Sequence, residues 1–226
     1  MTAAAPRRRS RRALRALSTA LIVAGVLLLA DAAATLLWQE PVSALYTRIQ
    51  QGRLADQLEE LRRAPLEPVE RAALERIADP RRRLAFRARA FERRLDDGDA
   101  MGRIRMPAIG VSDVFVQGTG GGDLRKGPGH YPETPLPGER GTVAIAGHRT
   151  TYGAPFRRLD GLDPGDRIEL AMPYGGFTYR VERTRIVPPT AVWVTRRVGH
   201  DRLVLSACHP LYSAAQRIVV FARLES

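Results

Sequence analysis

Leu203-Val204-Leu205-Ser206-Ala207-Cys208-His209-Pro210 is an apolar run that ends at the chain's single cysteine. After Leu211–Gln216 a second run follows, Arg217-Ile218-Val219-Val220-Phe221. Short apolar runs rich in β-branched residues and joined by a brief connection read as paired strands. The end of the first strand presents its side chain at the rim of a sheet. The connection brings Arg217 back beside Cys208.

The same pattern extends upstream to about residue 101. Further strands are expected at Gly102–Ile104, Val114–Gln117, Thr142–Ala146, Arg167–Ala171 and Phe177–Ile186, with the last two at Arg202–Ala207 and Arg217–Arg223. Gly118–Gly122, Asp163-Pro164-Gly165-Asp166 and Tyr174-Gly175-Gly176 punctuate them as turns. Pro155–Gly161 reads as one helical turn. Seven or eight short strands at this spacing predict a mainly β fold closed into a barrel over residues 101–226.

The N-terminal part has a different character. Residues 1–15 carry six arginines and no acid, and residues 16–38 then carry one charge, Asp31. As a helix that stretch is about 34 Å long, enough for a hydrocarbon core of about 30 Å. It is expected to be an uncleaved transmembrane helix, with Trp38 at the interface and the basic residues cytoplasmic. A cleaved signal peptide is the alternative, with imperfect cleavage sites around Ala30–Ala33. Residues 39–100 read as a polar helical stalk. Leu54, Leu58 and Leu61 keep helical spacing, and further helices are expected over Val69–Ala78 and Arg81–Leu95. The net charge of +12 resides partly in the basic leader. That basic block is a local targeting signal and no sign of nucleic-acid binding.

A chain read as exported, with one cysteine, has no internal disulfide to stabilise it, and its thiol calls for a reason. A cysteine acts as a nucleophile through its thiolate, which needs cationic or hydrogen-bonding neighbours. Four histidines are available. His148 follows Thr142-Val143-Ala144-Ile145-Ala146-Gly147 and so sits at a strand end, making it the acid–base candidate. His209 adjoins Cys208 and points the other way in an extended chain. His130 lies among glycines and prolines, and His200 in a turn. Arg217 can stabilise charge on a carbonyl oxygen. Together these residues suit acyl transfer. Their spacing matches no metal site, and no metal or organic cofactor is expected.

These residues resemble a known family. Ala146-Gly147-His148-Arg149-Thr150-Thr151-Tyr152-Gly153, Leu203–Cys208 and Cys208-His209-Pro210 with Gln216-Arg217 are similar to the motifs of class E sortases, membrane-anchored cysteine transpeptidases of Gram-positive bacteria. Leu124–Tyr131 and Pro189–Val194 resemble the class as well. The resemblance implies a sortase β-barrel in which Cys208 attacks the Thr–Gly carbonyl of a sorting peptide on an exported protein. Arg217 stabilises the oxyanion, and His148 protonates the leaving amine. An amine of a peptidoglycan precursor, or of a pilin lysine, then takes the acyl group. The implied sorting motif is Leu-Ala-x-Thr-Gly, where other sortases take Leu-Pro-x-Thr-Gly. Val187–Val198 would line the pocket through Trp193 and Val194, with Trp193 equally readable as core, and Tyr131 is a possible wall. Ala207, which the resemblance places among the substrate-binding residues, replaces the family threonine before the cysteine, and Val204 the threonine that opens the motif, so a hydroxyl contact to the substrate or neighbouring backbone is missing.

Two other readings compete. An L,D-transpeptidase also uses Cys, His and Arg on a β-rich fold, but its cysteine is typically followed by Ile/Val-Arg, which is lacking here. A membrane-tethered basic module that binds anionic wall polymers fits the charge of the outer domain. It leaves Cys208, His148 and Arg217 unexplained.

Overall fold

The computed structural model describes residues 7–37 and 41–225. Two compact units divide the chain, one up to Pro41 and one from Val42 onward. The first contains a single helix, α1 (Arg7–Leu37). Within it, Arg12–Ala33 is long and apolar enough to cross a membrane, with a mean hydropathy of 2.1. Trp38, the expected interfacial anchor, lies outside the described residues.

The second unit is built on eight strands: β1 (Ala100–Met106), β2 (Val111–Gln117), β3 (Gly129–His130), β4 (Thr142–Ala146), β5 (Arg167–Met172), β6 (Gly175–Val187), β7 (Arg202–His209) and β8 (Gln216–Leu224). They close into a barrel in the order β1-β2-β3-β4-β7-β8-β6-β5. The expected closed barrel is borne out. Its pairings are antiparallel except β2–β3 and β4–β7, which are parallel. Met101, Ile104, Phe115, Val143, Ile145, Leu205, Ala207, Ile168, Tyr179 and Val220 fill the interior. Successive strand residues face opposite sides, so the alternate positions of β4, β7 and β8 face outward. There Ala144, Val204, Val219 and Phe221 form a second apolar cluster with Val187, and Val194 and Tyr131 pack against it. The β7–β8 region is therefore buried on both faces.

The strand that sequence reading missed is β3. It has only two residues, in a Gly/Pro-rich stretch with no alternation to read. It exists because Gly129 lets the chain pass against β2: a Cβ there would lie 2.1 Å from the Gly118 carbonyl oxygen. His130, expected on a loop, is fully buried in this strand. Its ring meets the Gln117 Oε1 at 3.0 Å and the Thr134 Oγ1 at 3.1 Å.

Residues 41–92 form three helices, α2 (Pro41–Arg63), α3 (Pro68–Glu75) and α4 (Pro80–Glu92). Asp79 stands directly before α4. Its side chain accepts the Arg82 amide at 2.8 Å and caps α4, with Pro80 as the first residue. These helices do not stand away from the barrel as a stalk would. Leu54 and Leu58 of α2 are buried against Ala100, Val114 and Val116, and Ala88 and Phe91 of α4 join the main core. The physical reason is an incomplete sheet edge. Gln51 of α2 donates to the Val114 and Lys126 carbonyls at 2.8 and 2.9 Å and accepts the Val114 amide at 2.7 Å. Gln57 accepts the Ala100 amide at 3.1 Å. Backbone groups without a neighbouring strand at those points thus find side-chain partners.

Candidate active site

β7 carries Cys208 near its C-terminal end, between β4 and β8. Cys208 is the direct cross-strand partner of Arg217 in the antiparallel β7–β8 pair. In the parallel β4–β7 pair, Ala146 is level with Ser206, and the Gly147 amide continues the ladder to the Ser206 carbonyl at 3.0 Å. His148 and Cys208 each lie two residues beyond that level. Three neighbouring strands therefore bring His148, Cys208 and Arg217 to one end of the barrel. Gly147 is required by a close approach: a Cβ would lie 2.6 Å from the buried Phe156 ring.

Cys208 is half-buried and has a free thiol. Alternation places it on the outer face with Val204 and Ser206. On that face lies a groove of about 340 Å³. Its floor is Val204, Ser206 and Val219, its walls are Tyr131, Val187–Pro189 and Val194, and Arg217 lines the end beside Cys208. Tyr131 is fixed by a 3.1 Å hydrogen bond between its hydroxyl and that of Ser206. Arg217 donates through Nη1 to the carbonyls of Ala214 and Gln216 at 2.9 and 2.8 Å. Its guanidinium is thereby held over the β7–β8 connection.

Two of the sequence-stated groove residues lie elsewhere. Ala207 is buried in the barrel interior, on the face opposite the groove, because it is one residue out of phase with Cys208. Trp193 stacks on Phe221, ring centroids 6.1 Å apart, and does not line the groove. Its place is in an anchor. The Arg183 and Arg202 guanidinia also lie over the Phe221 ring, at 5.1 and 5.0 Å. Arg202 donates to the Val194 and Arg196 carbonyls at 2.8 and 3.0 Å. This cluster holds the β6–β7 segment, so Val194 can form a wall.

His148 is half-buried, and its ring lies 5.1 Å from that of Tyr152. The Arg125 guanidinium lies 5.6 Å from the same tyrosine ring. Burial pushes the His148 imidazole below the ordinary histidine range, and the positive charge of Arg125 pushes it the same way. Among the described residues, no group of three or more His, Cys, Asp and Glu side chains is arranged to hold a metal ion.

Residues 104–225 match the model of the sortase domain. The chain belongs to the sortase family. It is 34% identical to Sortase D of Bacillus subtilis over 133 residues, covering 57% of this chain and 65% of that relative. The chain thus spans less than two thirds of the relative's length. The solved sortase E from Streptomyces avermitilis is 33% identical, with a TM-score of 0.53 over 58% of this chain and 91% of that one. A Sortase D5 transpeptidase from Clostridium perfringens shares the fold at 23% identity, with a TM-score of 0.62 over 78% of this chain and 99% of that one. That last overlap is wider than the barrel alone can supply. The shared sortase architecture therefore includes helical residues before β1.

Sequence reading of this sortase missed the contacts that join α2 to the loop after His148 and to Arg125. The Tyr152 amide donates to Ser43 Oγ on α2 at 3.1 Å, and Thr47 Oγ1 donates to the Arg125 carbonyl at 3.0 Å. Both partners are distant in the chain, and no local pattern announces them. The other missed contact joins Arg149 to His209. Here a signal did exist: each residue directly follows a candidate catalytic one.

Proposed function

We propose that this sortase is a cysteine transpeptidase that joins exported proteins to an amine of the cell wall. The observation that carries the proposal is the pairing of Cys208 with Arg217 at the end of an outer-face groove, with His148 on the adjoining strand end. An extended sorting peptide would lie in the groove. The Cys208 thiolate attacks the threonine carbonyl carbon, forming a C–S bond and a tetrahedral oxyanion. Arg217 offers that oxyanion N–H donors; among the described residues its hydrogen bonds use Nη1, which leaves Nε and Nη2 for substrate. The C–N bond breaks as His148 gives its proton to the departing glycine amine. The acceptor amine then attacks the thioester, gives a proton to His148 and releases the thiolate. The lowered proton affinity of His148 makes its imidazolium a better proton donor to the leaving amine.

The motifs favour class E, with Leu-Ala-x-Thr-Gly as the sorting signal, while the comparable identities to Sortase D and sortase E relatives make peptide choice the discriminating measurement. The apolar Arg12–Ala33 helix, behind its basic leader, suits a single-pass anchor with the barrel outside the membrane. The acceptor is a peptidoglycan precursor amine or a pilin lysine.

The test is cleavage and amine transfer by the full chain in detergent micelles, using Leu-Ala-x-Thr-Gly and Leu-Pro-x-Thr-Gly peptides with an amine acceptor. Transfer that disappears in Cys208→Ala supports the proposal, and the preferred peptide sets the class. Wall-polymer binding that survives in Cys208→Ala, with no transfer by the parent chain, would instead support a binding module.

A further inference from the structure

Directly behind the pair His148 and Cys208 stands a second pair, formed by the next residue of each strand end. Arg149 is almost fully buried, with 3% of its surface exposed. Its Nη1 donates to Nδ1 of His209 at 2.8 Å. Its Nη2 lies 2.9 Å from Asp160 Oδ2, on the 3-10 turn Leu159–Gly161, and its Nε donates to the Arg157 carbonyl at 3.4 Å. One buried guanidinium therefore ties together the β4 exit, the β7 end and the 157–161 segment.

The chemistry of this contact is constrained. A guanidinium can only donate, so Nδ1 of His209 must accept, and the proton of the neutral ring sits on Nε2. The planar fork meets three acceptors in different directions. That fixes the position of Arg149 more tightly than a single flexible ammonium could. Because Arg149 follows His148 and His209 follows Cys208, this hydrogen bond sets the separation and register of the two backbones just beyond the β4–β7 ladder. That ladder ends at the Gly147 amide. No other backbone bond beyond this amide joins the two strand ends among the described residues.

We infer that Arg149 and His209 are positioning residues, a buried clamp that holds the acid–base histidine and the nucleophilic cysteine at their working separation. The inference rests on the transpeptidase reading for the roles of His148 and Cys208, and on the geometry alone for the clamp. A misplacement of about 1 Å at reacting groups can lower a rate by about 10²-fold. Breaking the clamp should therefore lower kcat, while KM for the peptide, set by the groove on the outer face, changes little.

The experiment uses the full chain in micelles, with Arg149→Met, His209→Phe, His209→Asn and the double variant Arg149→Met/His209→Phe, each checked for a cooperative melt. Phe keeps the ring but removes the acceptor, whereas Asn offers an acceptor oxygen near the place of Nδ1. His209→Phe is expected to lower kcat by about 10²-fold at little changed KM. Asn should recover most of the loss, and the double variant should be no slower than the worse single one. Rates of Cys208 alkylation by iodoacetamide are read on the same proteins. They should follow the same order whether or not a peptide substrate has been found, which separates failure of the clamp from failure of the transpeptidase reading. A folded His209→Phe that alkylates and turns over like the parent would overturn the inference, as would single effects that multiply in the double variant.

Discussion

At the scale of single residues, the site is shaped by what stands next to His148. Burial lowers the proton affinity of the imidazole, and the Arg125 guanidinium, 5.6 Å from the Tyr152 ring, lowers it further. Replacing Arg125 by glutamine removes a like charge, so the midpoint of the His148 imidazole should move up, towards the ordinary histidine value. Proton NMR titration of the imidazole in Arg125→Gln checks the direction, and a downward or absent shift would refute it. Gly147 presents a steric case. A methyl group there would meet the Phe156 ring at 2.6 Å, and Phe156 is fully enclosed. Gly147→Ala should cost about 1–3 kcal/mol through overpacking. It should also slow turnover, since the shifted backbone is the one that leads into His148. Urea denaturation measures the first effect and peptide transfer the second. Of the residues around the thiol, Cys208, Arg217 and His148 could be located from sequence because each ends or begins an apolar run. The place of Ala207 is not legible from family position, which says nothing about the face of a strand a neighbour occupies; alternation from Cys208 assigns it to the interior.

At the scale of elements, α2 completes the barrel by supplying partners that no strand supplies. Its Gln51 occupies both backbone groups of Val114 as well as the Lys126 carbonyl. Gln51→Leu would preserve the bulk of the side chain and strand those groups in a partly buried place. The expected loss is about 1–3 kcal/mol, visible as a lower urea midpoint with an unchanged slope. A silent substitution would mean that water replaces the glutamine at no cost. The helix periodicity of residues 41–92 was legible in the sequence, as were most of the strands. The docking was not: a glutamine on a helix face is ordinary, and its value depends on an edge formed some sixty residues later.

At the scale of the whole molecule, the buried His130 couples folding to pH. Burial lowers its pKa from 6.5 to about 4. Between those values the unfolded chain holds a proton that the folded one does not, so stability falls as the pH drops from about 6.5 towards 4. At 1.36 kcal/mol per unit the total is about 3 kcal/mol, and His148 acts in the same direction. His130→Asn should lower stability at pH 7, where its hydrogen bonds to Gln117 and Thr134 are disturbed, and flatten the acid limb. Urea melts of both proteins at pH 7 and pH 5 read the difference in slope. An equally steep acid limb in the variant would show that another group is responsible.

The sequence by itself determined the strand content, the closed barrel, the apolar N-terminal helix and the strand-end placement of the thiol, because each is written as a local period or a single abrupt change in composition. Only the tertiary structure decided which strands are neighbours, the parallel β4–β7 pairing that brings His148 level with Cys208, the two-residue β3 and the docking of α2 onto the sheet edge. It alone revealed the buried Arg149–His209 contact, sixty residues apart in the chain. Local periods report which face of an element is apolar. They carry no record of which distant element covers it, since that choice depends on closing the barrel and satisfying every buried polar group at once.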